Sequence, residues 1–98
     1  FGMPNSYPTL AIPTTAVAAD FDGDGKLDFA TANNTDRSVS LFLGKGMGVF
    51  NTAINYDVGI GPVWLATGDI NGDKKPDLAT ANQTAGTVTV LLNTGTFN

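Results

Sequence analysis

A shift of 49 positions lays this chain on itself without a gap. Phe1 falls on Phe50, Tyr7 on Tyr56, Pro13 on Pro62 and Asp20 on Asp69. The match runs on through Gly23/Gly72, Asp24/Asp73, Lys26/Lys75 and Asp28/Asp77. Ala30-Thr31-Ala32-Asn33 then lies over Ala79-Thr80-Ala81-Asn82, followed by Thr35/Thr84, Val39/Val88, Leu43/Leu92 and Gly46/Gly95. Two units, 1–49 and 50–98, account for all 98 residues. A tandem repeat is a run of one supersecondary unit that hides its apolar faces only against neighbours like itself. That restricts the fold before any residue is weighed.

Each unit reads as short strands between turn signals. In the second, Ala53–Val58 stops at Gly59 and Gly61-Pro62, and Val63–Gly68 runs into an Asp-rich loop. Asp77–Ala81 follows, and Thr87–Leu92 closes before Asn93-Thr94-Gly95. Val88, Val90 and Leu92 alternate with Thr87, Thr89 and Leu91, as Val39, Leu41 and Leu43 do with Ser38, Ser40 and Phe42. That is the period of a strand. Small residues (Ala16, Ala18, Ala19, Ala30, Ala32) suit sheets stacked closely face to face. Helical spacing with caps is absent. About four strands per unit at this period marks a β-propeller blade, so the expected fold is all-β, with two four-stranded antiparallel blades.

Composition narrows the chemistry. The chain has no Cys and no His, which excludes a disulfide framework, a thiolate or imidazole zinc site and the usual general base. Every acid is Asp. A net charge of −4 with five basic residues argues against nucleic acid, and no apolar run is long enough to insert in a membrane. No basic and apolar leader opens the chain at Phe1, so either a signal has been removed or the chain is an excised piece.

Seven of the nine acids sit in two loops. Asp20-Phe21-Asp22-Gly23-Asp24-Gly25-Lys26-Leu27-Asp28 places carboxylates at positions 1, 3, 5 and 9. Asp69-Ile70-Asn71-Gly72-Asp73-Lys74-Lys75-Pro76-Asp77 repeats the spacing with an amide oxygen at position 3. Like charges this dense repel unless a cation neutralises them. Oxygen-only donors on a flexible turn select a hard ion, and Ca²⁺ fits better than Mg²⁺. The expectation is two Ca²⁺, one per repeat, at loops 20–28 and 69–77. Position 7 would donate a backbone carbonyl, from Lys26 and Lys75, and Asp28 and Asp77 would take the bidentate role. Loop 1 should bind more tightly, and Asp24→Ala should hurt more than Asp73→Ala. Loop 1 has one more carboxylate, and Gly25 stands where loop 2 carries Lys74, at a cost of about 1 kcal/mol if that position is left-handed.

The string Phe…Tyr…Gly-x-x-Pro…Gly-Asp-x-Asn-Gly-Asp…Lys-Pro-Asp-Leu-Ala-Thr-Ala-Asn resembles the FG-GAP/VCBS repeat of integrin-α-like propellers and related fungal and bacterial lectins. The resemblance covers both units. It implies structural Ca²⁺ loops at Asp20, Asp22, Asp24, Lys26 and Asp28, and at Asp69, Asn71, Asp73, Lys75 and Asp77. It also implies that the segment around Phe and Tyr forms the outer strand of the preceding blade. Propellers of this family commonly carry seven blades in one chain, and two cannot close a ring. Several identical chains would give six blades as a trimer or eight as a tetramer, and an interface that does not close gives a filament. Met3–Leu10 of one protomer is expected to pair with Thr87–Leu92 of the next and cap an exposed edge. A fragment of a longer array is the alternative.

Trp64 and Tyr56 are candidates for a sugar-stacking platform near Gly59–Pro62, against the alternative of packing between blades. Asn33-Asn34-Thr35 and Asn82-Gln83-Thr84 match the glycosylation sequon at Asn33 and Asn82, against the alternative of capping a strand corner. Gly44-Lys45-Gly46-Met47-Gly48 has the look of a phosphate cradle, but no helix follows and it reads as a hairpin turn. The functional expectation is a calcium-stabilised extracellular or cell-surface module for carbohydrate or surface-ligand binding and adhesion, built from several protomers, and not an enzyme. The alternative is a structural repeat that polymerises head to tail into a surface fibre.

Overall fold

A computed structural model describes residues 2–9 and 12–97. Phe1, Leu10, Ala11 and Asn98 lie outside the described residues, and with them the first residue of unit 1–49, the last of unit 50–98 and the end of the expected pairing segment Met3–Leu10. The strands run in chain order as β1 (Pro13–Ala19), β2 (Asp28–Asn33), β3 (Ser38–Phe42), β4 (Gly44–Gly46), β5 (Val49–Phe50), β6 (Ile54–Asp57), β7 (Pro62–Gly68), β8 (Asp77–Asn82) and β9 (Thr87–Leu91). A helical turn, Asn34–Asp36, closes the β2–β3 corner through Arg37 in the left-handed conformation. The architecture is all-β, and the strand bounds fall within a residue or so of those read from the turn signals.

Two antiparallel sheets form, ordered β1-β2-β3-β6 and β7-β8-β9, with β4-β5 as a separate hairpin. The expectation of four strands is met within the chain in the first sheet, and the second has three among the described residues, its fourth being the one expected from a neighbouring copy. The first sheet borrows its outer strand from the second unit, because Val39 pairs with Tyr56 and Leu41 with Ile54. The sheets thus cut across the sequence repeat. Both inner strands begin at a proline, Pro13 and Pro62, and both shift register within the next two residues. Proline lacks the ladder N–H, so a strand tolerates it at its first residue.

Alternation decides the core. On the first sheet Val17, Ala30, Ala32, Val39 and Leu41 share one face; on the second, Leu65, Leu78 and Leu91 do. These faces meet in one cluster, in which Ala30, Ala32 and Val39 are fully buried and Leu41 and Leu65 nearly so. Alanines on the central strand let the backbones approach, as their spacing led one to expect. Inner strand β1 lies against inner strand β7, and Thr14 Oγ1 donates to the Pro62 carbonyl at 3.3 Å.

Candidate metal centre

Each Asp loop joins an inner strand to the central one, β1 to β2 and β7 to β8. The first loop is wound around a single carboxylate. Asp20 Oδ1 accepts the N–H groups of Gly23 (2.9 Å) and Asp24 (3.2 Å), and its Oδ2 accepts that of Gly25 (2.7 Å). Asp69 repeats this with Gly72 (2.8 Å), Asp73 (3.0 Å) and Lys74 (2.8 Å). An Asp side chain that holds the backbone ahead of it is a turn former in its own right, so the loops are shaped before any ligand arrives. Lys26 and Lys75 donate their backbone N–H groups to Asp24 (2.9 Å) and Asp73 (3.0 Å).

Position 6 is left-handed in both loops, with φ of 82° at Gly25 and 68° at Lys74. The strain expected at Lys74 is therefore present. Lys74→Gly relieves it at about 1–2 kcal/mol and returns part of that as unfolded-state entropy, for a net gain of about 0.5–1 kcal/mol. Thermal melting should rise by about 2–8 °C. An unchanged melting curve would show that the loop carries no such strain.

The ninth residue does something the sequence did not disclose. Asp28 is 1% exposed; its Oδ2 accepts the N–H of Phe21 at 2.8 Å, and its Oδ1 that of Gly44 at 2.6 Å. Gly44 has no room for a Cβ, which would run into the Leu27 carbonyl. Asp77 is equally buried and accepts the N–H groups of Ile70 (2.7 Å) and Asn93 (2.8 Å). Both oxygens of both aspartates thus accept backbone N–H groups and anchor the loop, while a carboxylate oxygen of each also converges with the other acids of its cluster.

Asn93 was missed from sequence. Its Nδ2 donates to the Phe21 carbonyl (2.6 Å) and the Pro76 carbonyl (3.0 Å), tying the two loops together across the sheets. Its one sequence signal is that it stands at the repeat position of Gly44, so that the two units support their ninth residue differently.

Carboxylate oxygens converge at both loops. Those of Asp20, Asp22 and Asp28 lie within 4.8 Å of one another, and so do those of Asp69, Asp73 and Asp77. Asp24 is not in the first set although its counterpart Asp73 is in the second; the Asp24 carboxyl is hydrogen-bonded to Asp22 beside that set. Asn71 replaces Asp22 in the second loop. The side chains of Lys26 and Lys75 run beside Gly46 and Gly95, toward the hairpin and the C-terminal turn. The donor set is all oxygen, two of each three aspartates are not buried, and a hard cation with a flexible coordination shell fits it.

Crowding shows in the proton affinities. Burial pushes Asp22 up to about 6, helped by the Asp24 carboxyl hydrogen-bonded to it and by the charge of Asp28. At Asp20, burial pushes up but the N–H groups of Gly25, Gly23 and Asp24 outweigh it and hold the carboxyl below its ordinary value. The Asn93 N–H, with those of Ile70 and Asn71, holds Asp77 below its own against burial. The raised Asp22 contributes stability that is complete below its unfolded value of 3.8 and lost as pH rises through about 6. The lowered Asp20 and Asp77 contribute stability that is present above 3.8 and lost only below it. Between about pH 4 and 7 the metal-free chain should therefore melt at lower temperature as pH rises, with Asp22→Asn flattening the slope. A cation must displace the Asp22 proton, so loop 1 should bind Ca²⁺ about tenfold more weakly at pH 5 than at pH 7. Titration calorimetry at the two values checks this.

The structure does not bring Trp64 and Tyr56 together. Trp64 pairs with Ala81 on the outer face of the second sheet and is 65% exposed. Tyr56 sits against the core, and burial raises its hydroxyl pKa. It lines a cavity of about 220 Å³ between the sheets with Leu41, Leu78, Leu91 and Phe97. Asn33 and Asn82 are corner caps. Asn33 is fully buried, and its Nδ2 donates to Ser38 (3.0 Å) and Ser40 (2.7 Å). Asn82 is 1% exposed and donates to Thr87 (3.2 Å) and Thr89 (2.8 Å). With both amide hydrogens used and no exposed surface, neither side chain has room for a glycan in this fold.

Residues 20–80, which contain both loops and the strands between them, match the model of an FG-GAP-like repeat. No curated protein and no solved structure matched the chain.

Proposed function

The chain belongs to the FG-GAP-like repeat family, and from that premise we propose that it is a calcium-stabilised β-propeller module of the cell exterior that recognises a ligand rather than transforming one. The observation that carries this reading is the doubled carboxylate cluster at one corner of each sheet. Its loops are pre-wound by their own backbone and need only a cation to offset the gathered charge. Shallow sites of this kind, with most donors exposed and no enclosing helices, belong to the weak class of calcium sites. Those bind at about 10⁻⁴–10⁻³ M and fill in extracellular fluid rather than in cytosol. No helix of the described residues is long and apolar enough to cross a membrane.

Recognition is favoured over turnover by the donor inventory. The chain carries no His, Cys or Glu, and seven of its nine aspartates lie in the two loops. Carbohydrate is the ligand class best suited to an exposed aromatic such as Trp64. The test is calcium titration of the purified chain alongside a glycan array with Ca²⁺ present. Two saturable calcium sites and a Ca²⁺-dependent glycan signal lost in Trp64→Ala support the reading. Absence of calcium binding ends it. Glycan signals that persist in Trp64→Ala would move the ligand elsewhere on the module. The second reading, a fibre built head to tail, draws on the edge of β9, beside which no strand lies among the described residues, and has no ligand of its own.

A further inference from the structure

Loop 2 differs from loop 1 at position 3, where Asn71 stands for Asp22. Asn71 is also the one asparagine of nine that a glycine follows. The pair matters because a side-chain amide and the next peptide nitrogen can close a five-membered ring, and glycine puts no Cβ in the way. Asn71 and Gly72 are both exposed, and nothing lies within 4 Å of the place a Gly72 Cβ would take. In loop 1, Asp22 Oδ1 accepts the Asp24 N–H at 3.3 Å, but among the described residues no hydrogen bond holds the Asn71 side chain. The Gly72 N–H points at Asp69 Oδ1, 2.8 Å away. A free amide, an unobstructed nitrogen and a carboxylate beside its hydrogen thus meet in one turn.

We propose that Asn71 is a site of spontaneous deamidation, reactive in the ion-free loop and protected by Ca²⁺, and that its aspartate product gives loop 2 the carboxylate set of loop 1. The Gly72 nitrogen attacks Asn71 Cγ, and Asp69 Oδ1, already accepting its hydrogen, takes the proton as the bond forms. That proton leaves with the side-chain amide as ammonia, and a succinimide remains. Water then opens the ring. Addition at Cγ restores the peptide bond and leaves an aspartate, whereas addition at the main-chain carbonyl leaves an isoaspartate. The sum is one amide and one water in, one carboxylate and one ammonium out, with no oxidant or reductant.

Loop 1 shows what an aspartate at this position gains. Asp22 converges there with Asp20 and Asp28, and loop 2 already gathers Asp69, Asp73 and Asp77. An aspartate at 71 completes carboxylates at positions 1, 3, 5 and 9, and calcium affinity rises with the charge of the donors. The isoaspartate product inserts one more main-chain carbon between Asp69 and Asp73 and shifts them out of register, so that form should lose the ion. An ion in loop 2 would take the Asn71 amide oxygen and Asp69 as donors together. The amide is then held and the proton acceptor is occupied, so ring closure stops. This protection rests on the calcium reading above; the reactivity of Asn71 does not.

Ageing the chain in mildly alkaline buffer, once in EGTA and once in Ca²⁺, followed by peptide mass mapping, tests this. The other asparagines serve as internal controls. In EGTA the peptide that holds Asn71 should gain about 1 Da ahead of every other, with fragmentation separating aspartate from isoaspartate. At a tenfold excess of Ca²⁺ over its Kd only about one molecule in eleven is ion-free, so the gain should slow about tenfold. Asn71→Gln, whose longer side chain does not close a five-membered ring, should gain no mass in loop 2. Asn71→Asp should bind the second calcium about tenfold more tightly than the fresh chain. Asn71 ageing no faster than the other asparagines overturns the proposal. So does an Asn71→Asp titration that matches the fresh chain, and so do equal rates with and without Ca²⁺ in a chain that binds it. Calcium titration of the fresh chain separates the failures: selective ageing at equal rates in a chain that binds no calcium removes the metal reading and leaves Asn71 as the reactive site.

Discussion

Chelation with EGTA lowers the melting temperature of this chain by roughly 10–20 °C. A ligand that binds only the folded form at a tenfold excess over its Kd stabilises by about 1.4 kcal/mol per site, and two such sites by about 2.8 kcal/mol. For a domain of this size each kcal/mol moves the midpoint by about 4–8 °C. Differential scanning calorimetry in millimolar Ca²⁺, then in EGTA, reads the difference directly. The effect should fall by about half in Asp22→Asn and by about half in Asp73→Asn, because each leaves one cluster intact. Identical traces with and without chelator would remove calcium from the account altogether.

Replacing Asp28 by alanine should cost about 3–5 kcal/mol, and most of that cost should persist in EGTA. The buried Asp28 carboxylate holds the N–H groups of Phe21 and Gly44, and each buried donor left without an acceptor costs about 1–3 kcal/mol. The cavity adds to this. Asp22→Asn separates the two roles. In EGTA it should leave the fold as stable as before or more so at neutral pH, since it removes a carboxylate whose ionisation the crowded loop opposes. Urea denaturation of both variants, with and without Ca²⁺, checks the pair. If Asp28→Ala loses stability only when calcium is present, Asp28 is a ligand and nothing more.

The contrast between these aspartates marks how far a sequence can be read. Spacing alone identified the loops, the position-6 strain at Lys74 and the repeat that makes loop 2 a copy of loop 1. It could not rank the four carboxylates of loop 1. Asp20 turns its oxygens back onto three N–H groups of its own loop, Asp28 reaches across to Gly44, and Asp24 stays outside the converging set. The place of Asp28 is set by where the β3–β4 junction passes, sixteen residues downstream. The sequons failed for a related reason. Asn-x-Thr is the same string whether its amide faces solvent or two hydroxyls under a strand corner.

What the sequence determined by itself is whatever is local or periodic. Two-residue alternation gives strands, Gly and Asp clusters give turns, and the 49-residue period gives two copies of one unit, because each depends on neighbours along the chain. Packing settled whatever depends on neighbours across the chain. The same apolar stripe is core at Val39 and surface at Val88, because one sheet has another stacked on it and the other does not. Tyr7 likewise finds an aromatic seat more than twenty residues away in sequence. Burial is a property of what arrives on a face, and no residue carries that information in its own side chain.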